Sequence, residues 1–351
     1  MATQIFAGNK AKHAFLNNVR TLGMGGAGVA AARGGFSYLY NPALLTKEKF
    51  GLTVPGIRFE FGKNFFDIID YATENEEKFK LLDKKSGASA DKKDIILDEL
   101  RREAAGLDNI WYKASLVPSF GVVTNNIGIS VYNITHLASK TDVGIVVPKI
   151  KIYTLLDIVI SGGYGYHYNE KLALGANVKI INRRESPEFK VQVEQASGLK
   201  DVFNEGLDEM QKGKMGFGID FGALYKLNEK IELAAVALDL IGIVGDNAIP
   251  LNLKFGMTYQ YNKNLVLAAD LEDFFNMDGD KFVNKIFLGG EYKLPVLSVR
   301  LGFGQGYPAA GIAINLAVME LAYTFYTREL TGSPGLKGEG YHVIGLNFGW
   351  L

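Results

Sequence analysis

At 351 residues, with 38 basic side chains matched by 38 acidic ones and no cysteine, the chain excludes disulfide scaffolds and thiolate metal sites, and it offers no charge excess to attract nucleic acid. Its 41 glycines, 22 phenylalanines and 17 tyrosines, against 9 prolines, suit one large β architecture in which glycine lets strands bend and aromatics form interfacial girdles. No window reaches the roughly 18 uninterrupted apolar residues of a membrane helix. Residues 1–15, with Lys10, Lys12 and His13, lack the apolar stretch of a signal peptide, so an exported form is expected to have lost its leader, with Met1 in its place.

The first fifty residues do not alternate in polarity. Within them Gly23-Met24-Gly25-Gly26-Ala27-Gly28 satisfies the letter of a dinucleotide-binding G-x-G-x-x-G, and Glu48 follows at a suitable distance. No crossover helix fits between Val29 and Asn41-Pro42, so these glycines are read as sites of close backbone packing and no cofactor is expected.

From residue 51 onward the polarity alternates with the two-residue period of a strand. Such segments lie near 51–61, 111–122, 126–135, 150–167, 171–182, 214–227, 231–241, 250–261, 264–272, 284–293, 296–303, 308–317, 319–327 and 341–351. Their connections alternate too. Short polar turns stand at 124–126, 169–171, 228–230, 262–264 and 294–295, and longer loops at 62–110, 136–149, 183–213, 242–249, 273–283 and 328–340. About fourteen strands, each near the ten residues that cross a bilayer, with alternately short and long connections, predict a closed antiparallel transmembrane β-barrel over 51–351. The non-alternating residues 1–50 then fill its lumen as a hatch. In the loop at 62–110, Ile95, Ile96, Leu97 and Leu100 recur at helical spacing, which predicts a helical outer cap, and Arg183–Lys212 reads as a less regular counterpart. In the last segment Ile344, Leu346, Phe348 and Trp350 share one face and Val343, Gly345, Asn347 and Gly349 the other. This strand must pair with the first if no edge is to remain in lipid.

The predicted inner faces carry ten charges: Arg58, Lys113, Asp157, Lys179, Asp220, Lys254, Asp270, Glu291, Arg300 and Glu320. Interior ion pairs that hold a plug or tune a lumen are their first reading, with a catalytic cluster as the competing one. No G-x-S-x-G elbow is present, and His13, His136, His167 and His342 share no ligand spacing, so neither an enzyme nor a metal site is expected. Some inner positions are apolar, among them Leu155, Val159 and those of 231–241; they suit a greasy ligand and suit packing against the hatch equally well. Pro55, Pro118, Gly162 and Gly163 interrupt strands and are candidate breaks, either side openings or plain bulges.

The stretch Arg20–Leu45, RTLGMGGAGVAAARGGFSYLYNPALL, resembles the N-terminal hatch of the FadL superfamily of outer-membrane transporters of long-chain fatty acids and other hydrophobic compounds. The matching elements are Gly23, Gly25, Gly26 and Gly28, the aromatic Tyr38 and Tyr40, and the triplet Asn41, Pro42 and Ala43. The resemblance implies a fourteen-stranded barrel in the outer membrane of a diderm bacterium. It also implies a hatch in the lumen and a terminal aromatic strand, here Gly345, Phe348 and Trp350, read by the barrel-insertion machinery, with the departure that Leu351 follows. A hydrophobic small molecule and the lipid bilayer are the implied partners. The hatch wording and GFGIDFGALYKL look closer to PorV-like and related branches, which implies an alternative role as a docking module for a secretion or surface partner. A general diffusion porin is the third reading.

Overall fold

The computed structural model describes residues 17–82, 86–107, 110–142, 149–186, 189–192, 210, 212–277, 279–331 and 333–350. Sixteen strands follow in chain order: β1 (Phe50–Gly62), β2 (Trp111–Thr124), β3 (Ile127–Asp142), β4 (Lys149–His167), β5 (Leu172–Glu185), β6 (Phe189–Gln192), β7 (Lys214–Lys226) and β8 (Ile231–Val244), then β9 (Asn247–Ala248), β10 (Asn252–Gln260), β11 (Leu265–Leu271), β12 (Ile286–Lys293), β13 (Leu297–Gly304), β14 (Tyr307–Leu316), β15 (Met319–Glu329) and β16 (Gly338–Trp350). The four-residue β6 and the two-residue β9 are flaps on β4 and β8, and the other fourteen form the wall. Each wall strand is antiparallel to its neighbours, β8 pairs with β10, and β16 pairs with β1 from Tyr341 opposite Gly62 to Trp350 opposite Leu52. The sheet is therefore a closed transmembrane barrel, the one β arrangement that leaves no unpaired backbone edge in hydrocarbon.

Alternation sorts the side chains. On β7, Met215, Phe217, Phe221 and Tyr225 stand exposed on the outer surface, while Gly218, Asp220, Gly222 and Leu224 are buried inside. β16 does the same, with Ile344 and Phe348 outward and Tyr341, Val343 and Gly345 inward.

One end of the barrel carries tight turns, and three of them use the same device. The side-chain oxygens of Asn169, Asn228 and Asn262 each accept from the backbone N–H groups two and three residues on, at 2.8–2.9 Å. An asparagine that satisfies its own turn in this way fixes the hairpin without help from the wall. At the fourth, Asn125 and Asn126 have φ of 44° and 72°, the left-handed pair that matches the twist of a two-residue hairpin.

The opposite end carries the long connections. Between β1 and β2 lie α1's outer counterparts: α2 (Phe65–Glu74), α3 (Glu76–Leu82) and α4 (Ala90–Glu103), where α1 (Val19–Gly23) belongs to the lumen. Leu82, Ile96, Leu97 and Leu100 form a small core for this cap, joined by Tyr71 and Phe79. Two expectations are corrected at this end. The segment from Arg183 is strand through Glu185, paired with Leu155–Asp157, and Phe189–Gln192 pairs with Lys149–Ile152, because β4 is long enough to continue the ladder for both. Residues 193–209, the remainder of that predicted helical loop, lie outside the described residues, and β3 extends to Asp142 where the periodicity suggested an end near 135.

Candidate functional site

Residues 17–49 pass through the barrel's interior, and the sequence there explains how a chain with so little regular structure holds its shape. Asn18 caps α1 by accepting from the Arg20 N–H at 2.8 Å. The helix ends after one turn at Met24, Gly25 (φ 70°) and Gly26 (φ 102°), a left-handed exit open to glycine. A methyl group at Gly26 would stand 2.6 Å from the Phe287 ring, and one at Gly28 2.5 Å from the Tyr40 ring. The wall answers with glycines of its own: Gly289 faces Met24, Gly302 and Gly304 face Gly25, and Gly175 and Gly222 face Asn41 and Pro42. Tyr38 lies between Gly128 and Gly163, its hydroxyl 2.7 Å from Ser130 Oγ. The Gly-rich segment is thus a packing surface, with no strand feeding it and no crossover helix leaving it.

Polar anchors complete the fit. Arg20 donates through Nε and Nη2 to the carboxylate of Glu291 at 2.7–3.0 Å, and Arg300 donates to the same carboxylate at 2.9 Å and to Glu320 at 3.4 Å. Asp270 accepts from the N–H groups of Gly28 and Val29 at 2.6 and 2.8 Å. Asn41 accepts from the Ala43 N–H at 3.0 Å, capping the turn Pro42–Lys47, and donates to the carbonyls of Ala223 and Ala235 at 3.1 and 3.3 Å. Thr324 donates to the Val19 carbonyl at 3.0 Å.

The ten inner charges therefore do not converge on one centre. Glu291, Arg300 and Glu320 form one network with Arg20, while Asp270, apart from them, holds Gly28 and Val29. Lys179 bridges Asp220 at 2.9 Å and Asp239 at 2.7 Å, and Asp157 takes both arms of Arg183 at 2.7 Å. Lys113 pairs with Glu339 at 2.7 Å, Lys254 with Glu272 at 2.9 Å, and Arg58 donates to the Asn17 carbonyl. His136, His167 and His342 lie apart, bonded to Ser115, the Thr46 carbonyl and Tyr323. The partners Arg20, Arg183, Asp239, Glu272 and Glu339 were missed in the sequence. One had a signal there, because Arg183 stands directly across the ladder from Asp157.

Most of the apolar inner positions are covered by the hatch, while Leu155 packs with Ala138 and Tyr153 and faces the open space above it. Val236, Leu238, Ala234 and Leu224 pack with Val29, Ala30, Tyr40 and Leu44, and Val159 with Tyr38 and Leu45. What stays open lies on either side. Above the hatch is a cavity of about 150 Å³ with Leu22, Ile134, Leu155 and Phe287 on its apolar side and Arg58, Glu60, His136 and Arg328 on its polar side. Arg328 lies over the stacked rings of Tyr326 and Tyr341, 5.5 and 5.1 Å from their centroids. Below the hatch, toward the tight turns, is a recess of about 460 Å³ at Arg20, Arg33, Glu48 and Arg300. A narrow gap of about 30 Å³ lies between them along the wall of β16, β1 and β2. It shares Asn17 and Arg58 with the upper cavity, and Asn18, Phe36 and Asn347 with the lower recess.

This wall is also where the ladder is irregular. The register of β1 shifts between Thr53 and Gly56 against both neighbours, flanking Pro55, and Pro118 stands opposite Ile57. Gly162 and Gly163, by contrast, do not interrupt β4, whose pairing with β3 and β5 runs straight through them. Gly163 is small to admit Tyr38, and Gly162 faces outward. A further irregularity lies in β8 at Asp239 (φ 53°), whose N–H bonds Asp220 at 2.7 Å.

No protein-family model matches the chain, and no curated protein matches it by sequence. Among solved structures, the CymD monoaromatic hydrocarbon channel is similar over 95% of this chain and 96% of its own, with 12% identity and a TM-score of 0.54. The Pseudomonas putida toluene transporter TodX is similar over 95% and 98%, with 13% identity and a TM-score of 0.53. A Pseudomonas aeruginosa FadL homologue gives 95% and 98%, 11% identity and 0.53. At such identities the likeness is one of fold alone, and the fold is that of fourteen antiparallel wall strands closed around the N-terminal segment.

Proposed function

We propose that the protein sits in the outer membrane of a diderm bacterium and passes small hydrophobic compounds inward past its hatch. The observation that carries this reading is the chain of spaces from the upper cavity, through the gap beside β16, β1 and β2, to the lower recess. The upper cavity, at about 150 Å³, is the size of one that takes up benzene in a protein interior. It favours a compound of about one ring, with a polar group for Arg58 or Arg328 to meet, over a long-chain fatty acid. The fold likeness to monoaromatic hydrocarbon channels points the same way. Because Asn41 is bonded to two wall strands, we take the movable contact to be that of Arg58 with Asn17, beside the irregular ladder at Pro55 and Pro118. Release then runs down the gap or sideways through β1 and β2. No chemical step is involved.

The test is uptake of labelled toluene, benzoate and palmitate into vesicles carrying the purified barrel, beside the cavity-filling variants Leu155→Trp and Ala309→Trp. Entry of the one-ring compounds, at least tenfold reduced by either tryptophan, is the expected result. Uptake that ignores both substitutions would exclude this route. The hatch's many anchors favour a second reading, a sealed barrel whose outer helices dock a secretion or surface partner, and vesicles that take up none of the three compounds would support it.

A further inference from the structure

Two parts of the outer rim turn away from the lumen and lie over the barrel's lipid-facing surface. Phe61 shares the outward face of β1 with Phe59, yet it is buried. α2 folds down over it, with the rings of Phe66 and Phe65 at 5.0 and 5.9 Å, and His342 of β16 stacks beside it at 5.4 Å. On α2 itself Phe66 and Ile69 project outward, 50% and 41% exposed, while Asp67, Asp70 and Glu74 recur at i, i+3 and i+7 on another face. The helix is amphipathic: its apolar side, Phe65, Phe66 and Ile69, partly covers the wall and is partly uncovered, and the acids lie on the adjoining side.

The second part stands across the barrel. In a ring of fourteen, β10 is the seventh strand from β1 in either direction. There Phe274 packs edge-on, at 5.2 Å, against the outward-facing Phe255, with its N–H bonded to the Leu253 carbonyl at 3.0 Å. Phe275 follows at 5.7 Å from Phe274, and Phe275 and Met277 are 59% and 57% exposed.

We propose that these two aromatic skirts are lipid-contact elements, lying in the outer leaflet with their apolar sides among acyl chains and the acidic side of α2 in water, and so fixing the barrel's depth and tilt. Three observations select lipid as the occupant. The skirts are continuous with the exposed apolar belt through Phe59, Phe255 and Ile344. They stand on opposite sides, whereas a two-fold contact with a second copy of the chain would use one side. The polarity of α2 is that of a helix lying in the plane of a membrane interface. An uncovered Phe or Ile in water forgoes the burial that acyl chains offer.

The absence of native cysteine makes the test direct. Single variants Phe66→Cys, Ile69→Cys, Asp70→Cys and Phe275→Cys of the full chain are spin-labelled and placed one barrel per phosphatidylcholine nanodisc, with Ile344→Cys as the lipid-facing reference. Collision rates with oxygen and with a water-soluble nickel chelate are then compared. At 66, 69 and 275 the oxygen-to-nickel ratio is expected to match that at 344, and at 70 to fall well below it. Nickel-accessible labels at 66, 69 and 275, like that at 70, would overturn the proposal. So would oxygen exposure at 66 or 275 that is lost in discs holding two barrels, which would assign the skirt to contact between copies. Each labelled variant's heat-dependent migration on gels shows whether its barrel has formed.

Discussion

Glu291 holds two guanidinium groups, Arg20 of the hatch and Arg300 of the wall, and is itself fully buried. Removing one partner of such a group leaves charge without compensation in a dry setting, at a cost of roughly 3–5 kcal/mol. Glu291→Gln is therefore expected to loosen the hatch before the wall, seen as faster proteolysis within residues 17–49 while the heat-resistant barrel still migrates as folded. Equal loss of both would disprove the separation. Gly302 gives a sharper case, because a methyl group there meets the backbone of Met24 and Gly25 directly. Gly302→Ala should displace the hatch and raise single-channel conductance above that of the parent; unchanged conductance would show that the plug yields elsewhere. That the ten charges point inward was legible from alternation, whereas Asp239, at the irregular point of β8, was not. That Arg20 meets Glu291 was not legible either, since they lie 271 positions apart and nothing local pairs them.

At the level of elements, the tight turns and the cap helix α4 were legible because their signals are local: an asparagine at four of the hairpins, and apolar residues at helical spacing. Ser89 then caps α4 by accepting from the Lys92 N–H at 3.4 Å. The continuation of β5 past Arg183 was not legible, because charged residues there continue a ladder whose partner, β4, supplies the pairing. The cap has its own alkaline limit. Tyr71 donates to the Leu100 carbonyl at 3.0 Å, and burial, aided by Glu103, pushes its hydroxyl from 10 up to about 12. Its folded value is the higher one, so its contribution is whole below pH 10 and is lost as the pH rises toward 12. The expected outcome is a loosening of the cap between those values, read by quenching of a dye attached at Ile95→Cys. Tyr71→Phe should lack that step, and a step of the same size in both would rule Tyr71 out as its cause.

For the whole molecule, strand number and closure followed from counting alternating segments and their connections, since an even ring with its last strand on its first is the arrangement that hydrocarbon allows. The plug's path did not follow from any such count. Its contacts are set one by one, by glycines on both surfaces and by carboxylates that receive backbone N–H groups. Opening it is a whole-molecule event: the double change Asp270→Asn with Glu291→Gln removes charged anchors on two adjoining strands, and it should increase toluene entry more than either change alone. Strictly additive effects would show that the anchors act independently.

The glycines of the wall that receive the hatch have a consequence for assembly. A surface matched this closely, from Gly128 and Gly163 round to Gly302 and Gly345, leaves no clearance for threading a chain into a finished cylinder. The hatch precedes every strand in the sequence, and Val19 lies against Gly345 and under Thr324, beside the seam where β16 meets β1. The N-terminal segment is then a mandrel. The expected order is that the sheet wraps around it and the seam closes last, so that a chain lacking residues 17–49 closes slowly in refolding followed by gel migration.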